Sequence, residues 1–279
     1  MERGPDELLR RIEALRADRT SGASALVQEA IAILASARAA HTDIDSIARL
    51  ICTAQPSMAS MWNAAAAALS DDPDRLNRFA ERLRRAPAAI ARFATSHFAE
   101  DAGRQMRVVT LSYSSSVLVA LNAIRKIRPL AVSCSESRPA LEGRRLATDL
   151  AAAGVPVTLF SDSAIAHALD DADAVMVGAD AIAPSWFLNK SGTRMLAAAA
   201  AQRGVPVYVI AARDKFVRQQ IADGLVIRSG DATEIWATPP PGVDVRNPYF
   251  ESTPFDLVTA VISDVGILGT GMIPDVCEH

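Results

Sequence analysis

The amino-acid sequence predicts an α/β fold, with an N-terminal helical domain followed by a Rossmann-like parallel-sheet domain. Up to about residue 103 the apolar residues repeat with a helical period only, whereas from Arg107 onward short apolar runs alternate with helical segments. Because parallel strands need crossover connections, which are usually helices, this alternation indicates a parallel sheet. We therefore expect residues 1–103 to form the helical domain and residues 104–279 the ligand-binding domain.

The helical domain is predicted from apolar spacing and from residues that start or interrupt helices. Apolar residues share one helix face after Pro5, namely Leu8, Leu9, Ile12 and Leu15. Further helices are expected to start after four polar residues: Ser24, Asp43, Ser57 and Asp72. Three prolines are expected to mark the connections between helices: Pro56, Pro73 and Pro87.

The sheet domain is predicted to begin with a strand at Val108 and Val109. Later strands are expected near four residues: Ala131, Val157, Val175 and Val207. The segments Gly154-Val155-Pro156 and Gly204-Val205-Pro206 both place a helix-ending glycine before a proline that leads into a strand. The apolar segment 255–267 is interpreted as helix-like, with more apolar residues than one helix face needs.

Composition argues against several classes of protein. Apolar residues make up 50% of the 279 residues and the mean hydropathy is +0.14, yet no apolar run is long enough to cross a bilayer. The net charge of -3 and the pI near 5.8 give no basic field, so we expect neither direct nucleic-acid binding nor a membrane partner. The N-terminus has no apolar segment typical of secretion, and we expect a cytoplasmic protein.

The cysteines and the basic runs suggest no special chemistry. Cys52, Cys134 and Cys277 have neither a metal-binding spacing nor a disulfide pattern, which favours a reducing compartment and no metal. The basic run at 82–85 lies in a predicted helix and is interpreted as a solvated face or as a partner-binding surface.

Hydroxyl groups cluster where the first predicted strand gives way to a helix. The segment from Thr110 brings free backbone amides and the hydroxyls of Ser112, Ser114, Ser115 and Ser116 to a helix start, where the helix dipole favours an anion. A phosphate would fit there. Alternatively, one serine only caps the helix.

Asp180 is the first candidate for acid–base chemistry. It follows the apolar run that starts at Val175, so its carboxylate emerges at a strand end, where ligands of α/β sheets bind. The small residues Gly178 and Ala179 allow a ligand to approach closely. A carboxyl group desolvated by a bound sugar would have a raised pKa, which suits proton transfer. The alternatives are a helix cap or a link to Lys190.

Other candidate binding residues follow neighbouring strands. Arg138 can hold a phosphate or a carboxylate through two parallel hydrogen bonds, or it forms an ion pair with Glu136 or Asp162. Asn189 and Lys190 can supply an amide and a positive charge to the ligand. Alternatively, these two residues belong to a hydrogen-bond network at the start of the next helix.

Three of these elements, in this order, resemble a known superfamily: Glu136 to Pro139, Gly178 to Asp180 and Asn189 to Thr193. The superfamily comprises methylthioribose-1-phosphate isomerase, ribose-1,5-bisphosphate isomerase and the alpha, beta and delta subunits of translation initiation factor 2B. The resemblance implies a sugar phosphate at the serine-rich turn and proton transfer by Asp180, with no cofactor. It also implies a homodimer or a larger homo-oligomer. The apolar segment 255–267 suggests the same, or alternatively it covers the sheet within one chain.

The sequence departs from the isomerases of this superfamily at two positions. Ser112 stands where the isomerases have a catalytic cysteine, and a serine hydroxyl is a far weaker acid than a thiol. The turn from Ser112 to Ser114 instead resembles the initiation-factor subunits, which are not catalysts. Glu142 stands where family members commonly have glutamine, which adds negative charge near the expected phosphate. Cys134, at the neighbouring strand end, is interpreted as a packing residue or as a substitute for the missing thiol.

A short element of the helical domain resembles the segment with which the isomerases contact the ligand. It consists of Ser21, Gly22 and Ala23, with the family arginine displaced to Arg19. From these features we expect a protein that binds a phosphosugar or nucleotide, acting as an aldose–ketose isomerase on a phosphorylated pentose. The alternative is a non-catalytic regulatory or assembly subunit that senses a sugar phosphate or nucleotide.

Overall fold

The computed structural model describes residues 5–18, 21–100, 103–227 and 229–278. In these residues, helices alone precede the first strand, as the sequence predicts. They are α1 (Pro5–Ala17), α2 (Ala23–Ala39), α3 (Ile44–Ala54), α4 (Ala59–Ala68) and α5 (Arg75–His97). Asp43 caps α3 by accepting a hydrogen bond from the Ser46 N–H group, which explains why that helix begins where it does.

Strands and helices alternate in the remainder of the chain. The strands are β1 (Met106–Thr110), β2 (Leu130–Ser135), β3 (Val157–Phe160), β4 (Ala174–Val177), β5 (Ala181–Ile182), β6 (Trp186–Lys190), β7 (Val207–Ile210), β8 (Phe250–Pro254), β9 (Ala260–Ser263) and β10 (Gly266–Gly269). The helices are α6 (Ser115–Ile124), α7 (Glu142–Ala152), α8 (Thr193–Gln202), α9 (Gln219–Ala222) and α10 (Ile273–Glu278).

The centre of the fold is a seven-stranded sheet with the strand order β10-β9-β7-β4-β1-β2-β3. All pairs are parallel except β9 with β10, so the predicted α/β fold with a mostly parallel sheet is confirmed. The inner strands β4 and β7 are buried throughout, which explains why they appear in the sequence as continuous apolar runs. A separate antiparallel sheet pairs β5 with β6 and β6 with β8.

The parallel register brings the polar residues that follow neighbouring strands to one edge of the sheet. Thr110 at the end of β1 lies opposite Cys134 of β2, and Val177 at the end of β4 lies opposite Val209 of β7. The serine-rich turn after β1 and the Gly-Ala-Asp element after β4 therefore emerge side by side, as expected for the ligand-binding edge of a doubly wound sheet.

The helices before the sheet do not all pack in the same core. Helices α1 to α4 form their own apolar cluster, which includes Ile33, Ile51 and Met61. The second half of α5 packs instead in the core of the sheet, through Ile90 and Ala94. Helix α5 thus joins the two parts, and the division into domains at residue 103 stays a prediction.

Two details of the sequence-based prediction are wrong. Pro87 lies inside α5 rather than in a connection between helices. Ala86 and Ile90, on either side of it, are both buried at helical spacing, so packing retains the helix despite the proline.

The apolar C-terminal segment is not an α-helix: a short 3-10 helix at Phe255–Leu257 precedes β9, which forms an antiparallel pair with β10. Val261 and Ile262 are fully buried in the sheet. A strand buried on both faces gives a continuous apolar run, which periodicity alone does not distinguish from a buried helix. The segment therefore completes the sheet within one chain and no longer argues for a homodimer. None of the helices described is long and apolar enough to span a membrane.

Candidate functional site

A crevice of about 380 Å³ opens between the helices of the first part of the chain and the carboxyl edge of the central sheet. Helices α2 and α5 form one wall, and the ends of β1, β4 and β7 form the other. The predicted site residues that line it are Gly22, Ala23, Ser114, Ser115, Ser116, Asp180 and Asn189. Residues predicted from both parts of the chain thus meet in one cavity.

Two helices begin at this crevice. Ser114 caps α6 by accepting a hydrogen bond from the Val117 N–H group at 3.4 Å. Helix α2 begins at Ala23 after Gly22, and no side chain caps it. The hydroxyl oxygens of Ser24 and Ser115 lie 3.0 Å apart, which holds the two helix starts next to each other. Their unpaired backbone N–H groups and aligned dipoles make this end of the crevice suitable for a phosphate.

Asp180 is held at the end of β4 through its backbone. Its N–H group donates to the Leu188 carbonyl at 2.8 Å, and its carbonyl accepts from the Ala59 N–H group at 3.0 Å. Burial raises the pKa of the Asp180 carboxyl above its ordinary value of 3.8, and the positive charges of Lys215 and Lys190 oppose that rise. A carboxyl group with a raised pKa can donate and accept a proton closer to neutral pH.

Lys190 is committed to a partner inside the protein. Its Nζ lies 2.8 Å from Glu142 Oε1 and 4.2 Å from the centre of the Tyr249 ring. The Lys190 side chain is only 4% exposed, so this ammonium is fixed behind the crevice. The second Glu142 carboxylate oxygen, Oε2, is buried without a hydrogen-bond partner. Lys190 and Glu142 therefore act on the site through their charge, since neither lines the crevice.

Asn189 belongs to the hydrogen-bond network considered for it and also lies at the crevice. It lines the crevice, and its Nδ2 donates to Thr193 Oγ1 at 2.9 Å. The Thr193 hydroxyl in turn donates to the Lys190 carbonyl at 2.6 Å, which closes a network at the start of α8. The network fixes the Asn189 amide while its side chain remains at the crevice wall.

Lys215 and Asp214, which the sequence-based prediction missed, also line the crevice. The Lys215 side chain is 10% exposed, and its Nζ has no hydrogen-bond partner among the described residues. It lies 3.8 Å from Asp214 Oδ2, which accepts a hydrogen bond of 2.6 Å from the Ser60 hydroxyl. A buried ammonium without a hydrogen bond favours an anionic ligand. The signal was present in the sequence, because these residues follow the apolar run of β7 just as Asp180 follows β4.

Arg145 is a second crevice residue that the sequence-based prediction missed. Its guanidinium carbon lies 4.4 Å from the centre of the Tyr113 ring, and the Tyr113 hydroxyl donates to Asp149 Oδ2 at 2.9 Å. This stacking orients the guanidinium beside the serine-rich turn. Both side chains line the crevice.

Two other predicted residues lie outside the crevice lining. Ser112 has a positive φ of 62°, and its N–H group donates to Ser137 Oγ at 2.7 Å. Arg138 is exposed, and its backbone N–H group donates to Asp162 Oδ2 at 2.7 Å. Glu136, the other partner considered for Arg138, forms an ion pair with Arg144 at 2.7 Å instead.

Only part of the element at Ser21, Gly22 and Ala23 lies at the crevice. Ser21 is exposed, and its N–H group donates to Asp18 Oδ1 at 2.9 Å. Gly22 and Ala23 line the crevice. Arg19 lies outside the described residues, so its assignment stays a prediction.

The described residues contain no group of side chains arranged to hold a metal ion. Cys134 is fully buried, and burial raises the pKa of its thiol to about 11. A thiol that stays protonated and does not reach the crevice is a packing residue, so Cys134 does not replace the family cysteine.

Comparison with known proteins gives matches over most of the chain. The model of the initiation factor 2 subunit family matches residues 6–270. Methylthioribose-1-phosphate isomerase of Exiguobacterium sibiricum is 32% identical over 298 aligned positions, which cover 94% of this chain and 86% of that protein. Ribose 1,5-bisphosphate isomerase of Archaeoglobus fulgidus is 37% identical over 159 positions, which cover 53% of this chain and 50% of that protein.

Solved structures share the whole architecture. The translation initiation factor eIF-2B of Pyrococcus horikoshii superposes with a TM-score of 0.81 at 25% identity, covering 97% of this chain and 98% of that one. The 5-methylthioribose 1-phosphate isomerase of the same organism superposes with a TM-score of 0.70 at 21% identity, covering 97% and 86%. At 21% identity, the similarity to the isomerase structure is evidence for a shared fold only.

Proposed function

The chain belongs to the initiation factor 2 subunit family, and on that premise we propose that it binds a phosphorylated pentose in the crevice and isomerises it between aldose and ketose. The observation that supports this most directly is the position of Asp180 and Lys215 in one cavity with two helix starts. Relatives named for methylthioribose-1-phosphate and for ribose 1,5-bisphosphate supply the two candidate substrates.

The phosphate is proposed to bind at the paired starts of α2 and α6. Backbone N–H groups after Gly22 and Ser114 and the hydroxyls of Ser115 and Ser116 would donate to its oxygens. Arg145, held against Tyr113, would add a charge-assisted hydrogen bond. The sugar would then extend toward Asp180 and Asn189.

Asp180 is proposed to move the proton. An aldose and the corresponding ketose are isomers, so the reaction moves hydrogen between neighbouring positions of one molecule and consumes no oxidant. Burial raises the pKa of Asp180, which makes its carboxylate a stronger base. The carboxylate would take the proton from C2 of the sugar and return it to C1, while the proton of the C2 hydroxyl passes to the ring oxygen as the ring opens. Lys215 would stabilise negative charge that develops on that oxygen.

A second candidate is a non-catalytic subunit that senses a sugar phosphate or nucleotide. Ser112 favours it, because the isomerases that the sequence resembles have a cysteine there. The structure places Ser112 outside the crevice lining, with its N–H group bonded to Ser137. A hydroxyl in that position is a poor acid, so this candidate predicts binding without fast turnover.

We further propose that residues 1–103 and 104–279 act as a helical and a ligand-binding domain, in a homodimer that works in the cytoplasm. The separate apolar cluster of α1 to α4 supports the first part. The homodimer is inferred from the sequence resemblance described above.

The deciding experiment measures binding and turnover of both phosphosugars by calorimetry and by NMR. Turnover that Asp180→Asn removes, and that Asp256→Asn at an exposed position leaves intact, would support the isomerase. Tight binding with no turnover would support the sensor. Wild-type protein that binds neither phosphosugar would overturn both.

A further inference from the structure

A second cavity, of about 430 Å³, lies next to the crevice, between α4, α5 and the loop after β7. The two cavities share four lining residues: Leu83, Ala86, Ala212 and Asp214. The second cavity differs from the crevice in its chemistry, because four guanidinium groups line it. They belong to Arg75, Arg78, Arg82 and Arg213. We call it the arginine cavity.

Helical spacing explains three of these arginines. Arg75, Arg78 and Arg82 stand at positions i, i+3 and i+7 of α5, which share one helix face. Arg213 reaches the same cavity from the loop after β7. The basic run at 82–85 is therefore divided: Arg84 and Arg85 pair with Glu81, whereas Arg82 turns into the cavity.

Three of the four guanidinium groups in this cavity have no salt bridge within the described residues. Arg78 forms a salt bridge with Asp72. Among the described residues, none forms a salt bridge with Arg75, Arg82 or Arg213. Three guanidinium groups without a carboxylate partner thus share one cavity.

The Arg213 guanidinium is fixed in place. Its Nη2 donates to the Val276 carbonyl at 2.7 Å, and its Nη1 donates to the Phe216 carbonyl at 3.4 Å. Burial lowers the pKa of this guanidinium and so does the nearby positive charge of Arg82, whereas Cys277, Asp264 and Asp214 raise it. Like charges held close together in a partly desolvated cavity repel each other, and an anion between them would remove that repulsion.

Three carboxylates also line this cavity, one fewer than the four guanidinium groups, and each of them has a partner within the protein. Asp72 pairs with Arg78. Asp264 Oδ1 accepts a hydrogen bond from the backbone N–H group of Arg213 at 2.6 Å and one from the Ser263 hydroxyl at 3.1 Å. Asp214 Oδ2 accepts from the Ser60 hydroxyl at 2.6 Å. They hold the walls of the cavity together and form no salt bridge with the other three arginines, although Asp264 and Asp214 act on Arg213 through their charge.

We propose that the arginine cavity binds a small anion with two or more phosphate groups, at a site separate from the phosphosugar in the crevice. A volume of about 430 Å³ lies within the range of small-molecule sites. Planar guanidinium groups bind phosphate oxygens through paired hydrogen bonds, and three of them match a diphosphate better than a single phosphate. Asp214, which lines both cavities and lies beside Lys215, would link this ligand to the crevice.

The test is calorimetric titration of the full chain with inorganic pyrophosphate. We expect wild-type protein to bind it, and Arg75→Ala and Arg82→Ala each to weaken binding about tenfold or more, the loss of one charge-assisted contact. Arg84→Ala is the matched control, because Arg84 is an exposed residue of the same helix that pairs with Glu81. It should bind pyrophosphate like the wild type.

Arg145→Ala separates the two cavities, because Arg145 lines only the crevice. Pyrophosphate binding that survives Arg145→Ala and is lost in the double variant Arg75→Ala/Arg82→Ala supports the proposal. A wild-type protein that does not bind pyrophosphate would overturn it. So would a double variant that binds as tightly as the wild type, or that loses no more affinity than Arg84→Ala does.

Discussion

Lys190 and Glu142, 48 residues apart in sequence, form a buried ion pair of 2.8 Å behind the candidate active site. Both charges act on Asp180: Lys190 lowers the pKa of that carboxyl and Glu142 raises it. Glu142 therefore offsets the positive charge of Lys190 behind the crevice. We expect binding strength and proton transfer both to depend on this pair.

Replacing Glu142 with glutamine should tighten phosphosugar binding. The amide oxygen can still accept a hydrogen bond from Lys190, but the negative charge near the expected anion is gone. We expect affinity to rise several-fold, on the order of 1 kcal/mol for one charge at moderate distance, as measured by calorimetry. Glu136, which pairs with Arg144 of α7 at 2.7 Å, provides the control: Glu136→Gln should change affinity little. Unchanged or weaker binding by Glu142→Gln would contradict this reading of the pair.

Asp180→Asn should alter the pH dependence of stability. In the folded protein burial raises the pKa of Asp180 above 3.8, so the native state holds this proton more tightly than the unfolded state does. As the pH rises from about 3.8 through that raised pKa, the native state therefore loses stability. We expect Asp180→Asn to be more stable than the wild type at pH 7, and the gain to disappear below pH 4.

Thermal midpoints of both proteins between pH 3.5 and pH 7.5 check this expectation. If the difference between the two midpoints stays constant over this pH range, burial does not raise the pKa of Asp180 and the expectation is wrong.

Asn63 should be needed to join α4 to the loop after β7. Its Nδ2 donates to the Asp214 carbonyl at 2.8 Å and to the Phe216 carbonyl at 2.9 Å. Asn63→Ala leaves both carbonyls without this donor, so the free energy of unfolding should fall by about 1–3 kcal/mol in urea titrations. Asn77→Ala, at an exposed position of α5, should change it by less than about 0.5 kcal/mol. Equal effects of the two substitutions would contradict the predicted role of Asn63.

The strands and the polar residues at their ends could be predicted because both signals are local. Asp180 and the serines after β1 directly follow apolar runs, and parallel pairing alone brings them together. Lys215 obeys the same rule after β7 and could have been predicted in the same way. Gly22 and Ala23 were identified only through the family resemblance, because nothing local shows that α2 reaches the sheet.

The remaining features depend on distant contacts. The pairing of Lys190 with Glu142 and the strand character of the segment near Val261 require the folded neighbours to be known. The same holds for Pro87, whose helix is retained by packing against the sheet. Hydrophobic periodicity and turn residues report local structure. They do not show which distant element will pack against a given apolar face.

Ser112→Cys tests whether the missing thiol limits catalysis. We expect wild-type turnover of either candidate phosphosugar to be slow, because one member of an acid–base pair typically contributes about 10²–10⁴-fold in rate. Ser112→Cys should raise the rate measured by NMR, and a further Asp180→Asn change should abolish the gain. If the thiol brings no gain while phosphosugar binding stays intact, the sensor is favoured over the isomerase.

Gly178 fixes the distance between the end of β4 and the start of α6. A Cβ atom at this position would lie 2.6 Å from Ser114 Oγ and 2.7 Å from Ser114 Cβ, closer than real contacts allow. Gly178→Ala must therefore push the Ser114 cap away from the sheet, which moves the N–H groups proposed to hold the phosphate. We expect phosphosugar affinity to fall at least tenfold and stability to fall by about 1–3 kcal/mol, as for other overpacked sites. Gly271→Ala, where an added Cβ has no atom within 4 Å, is the control for both measurements. Wild-type affinity in Gly178→Ala would show that the phosphate does not bind at the start of α6.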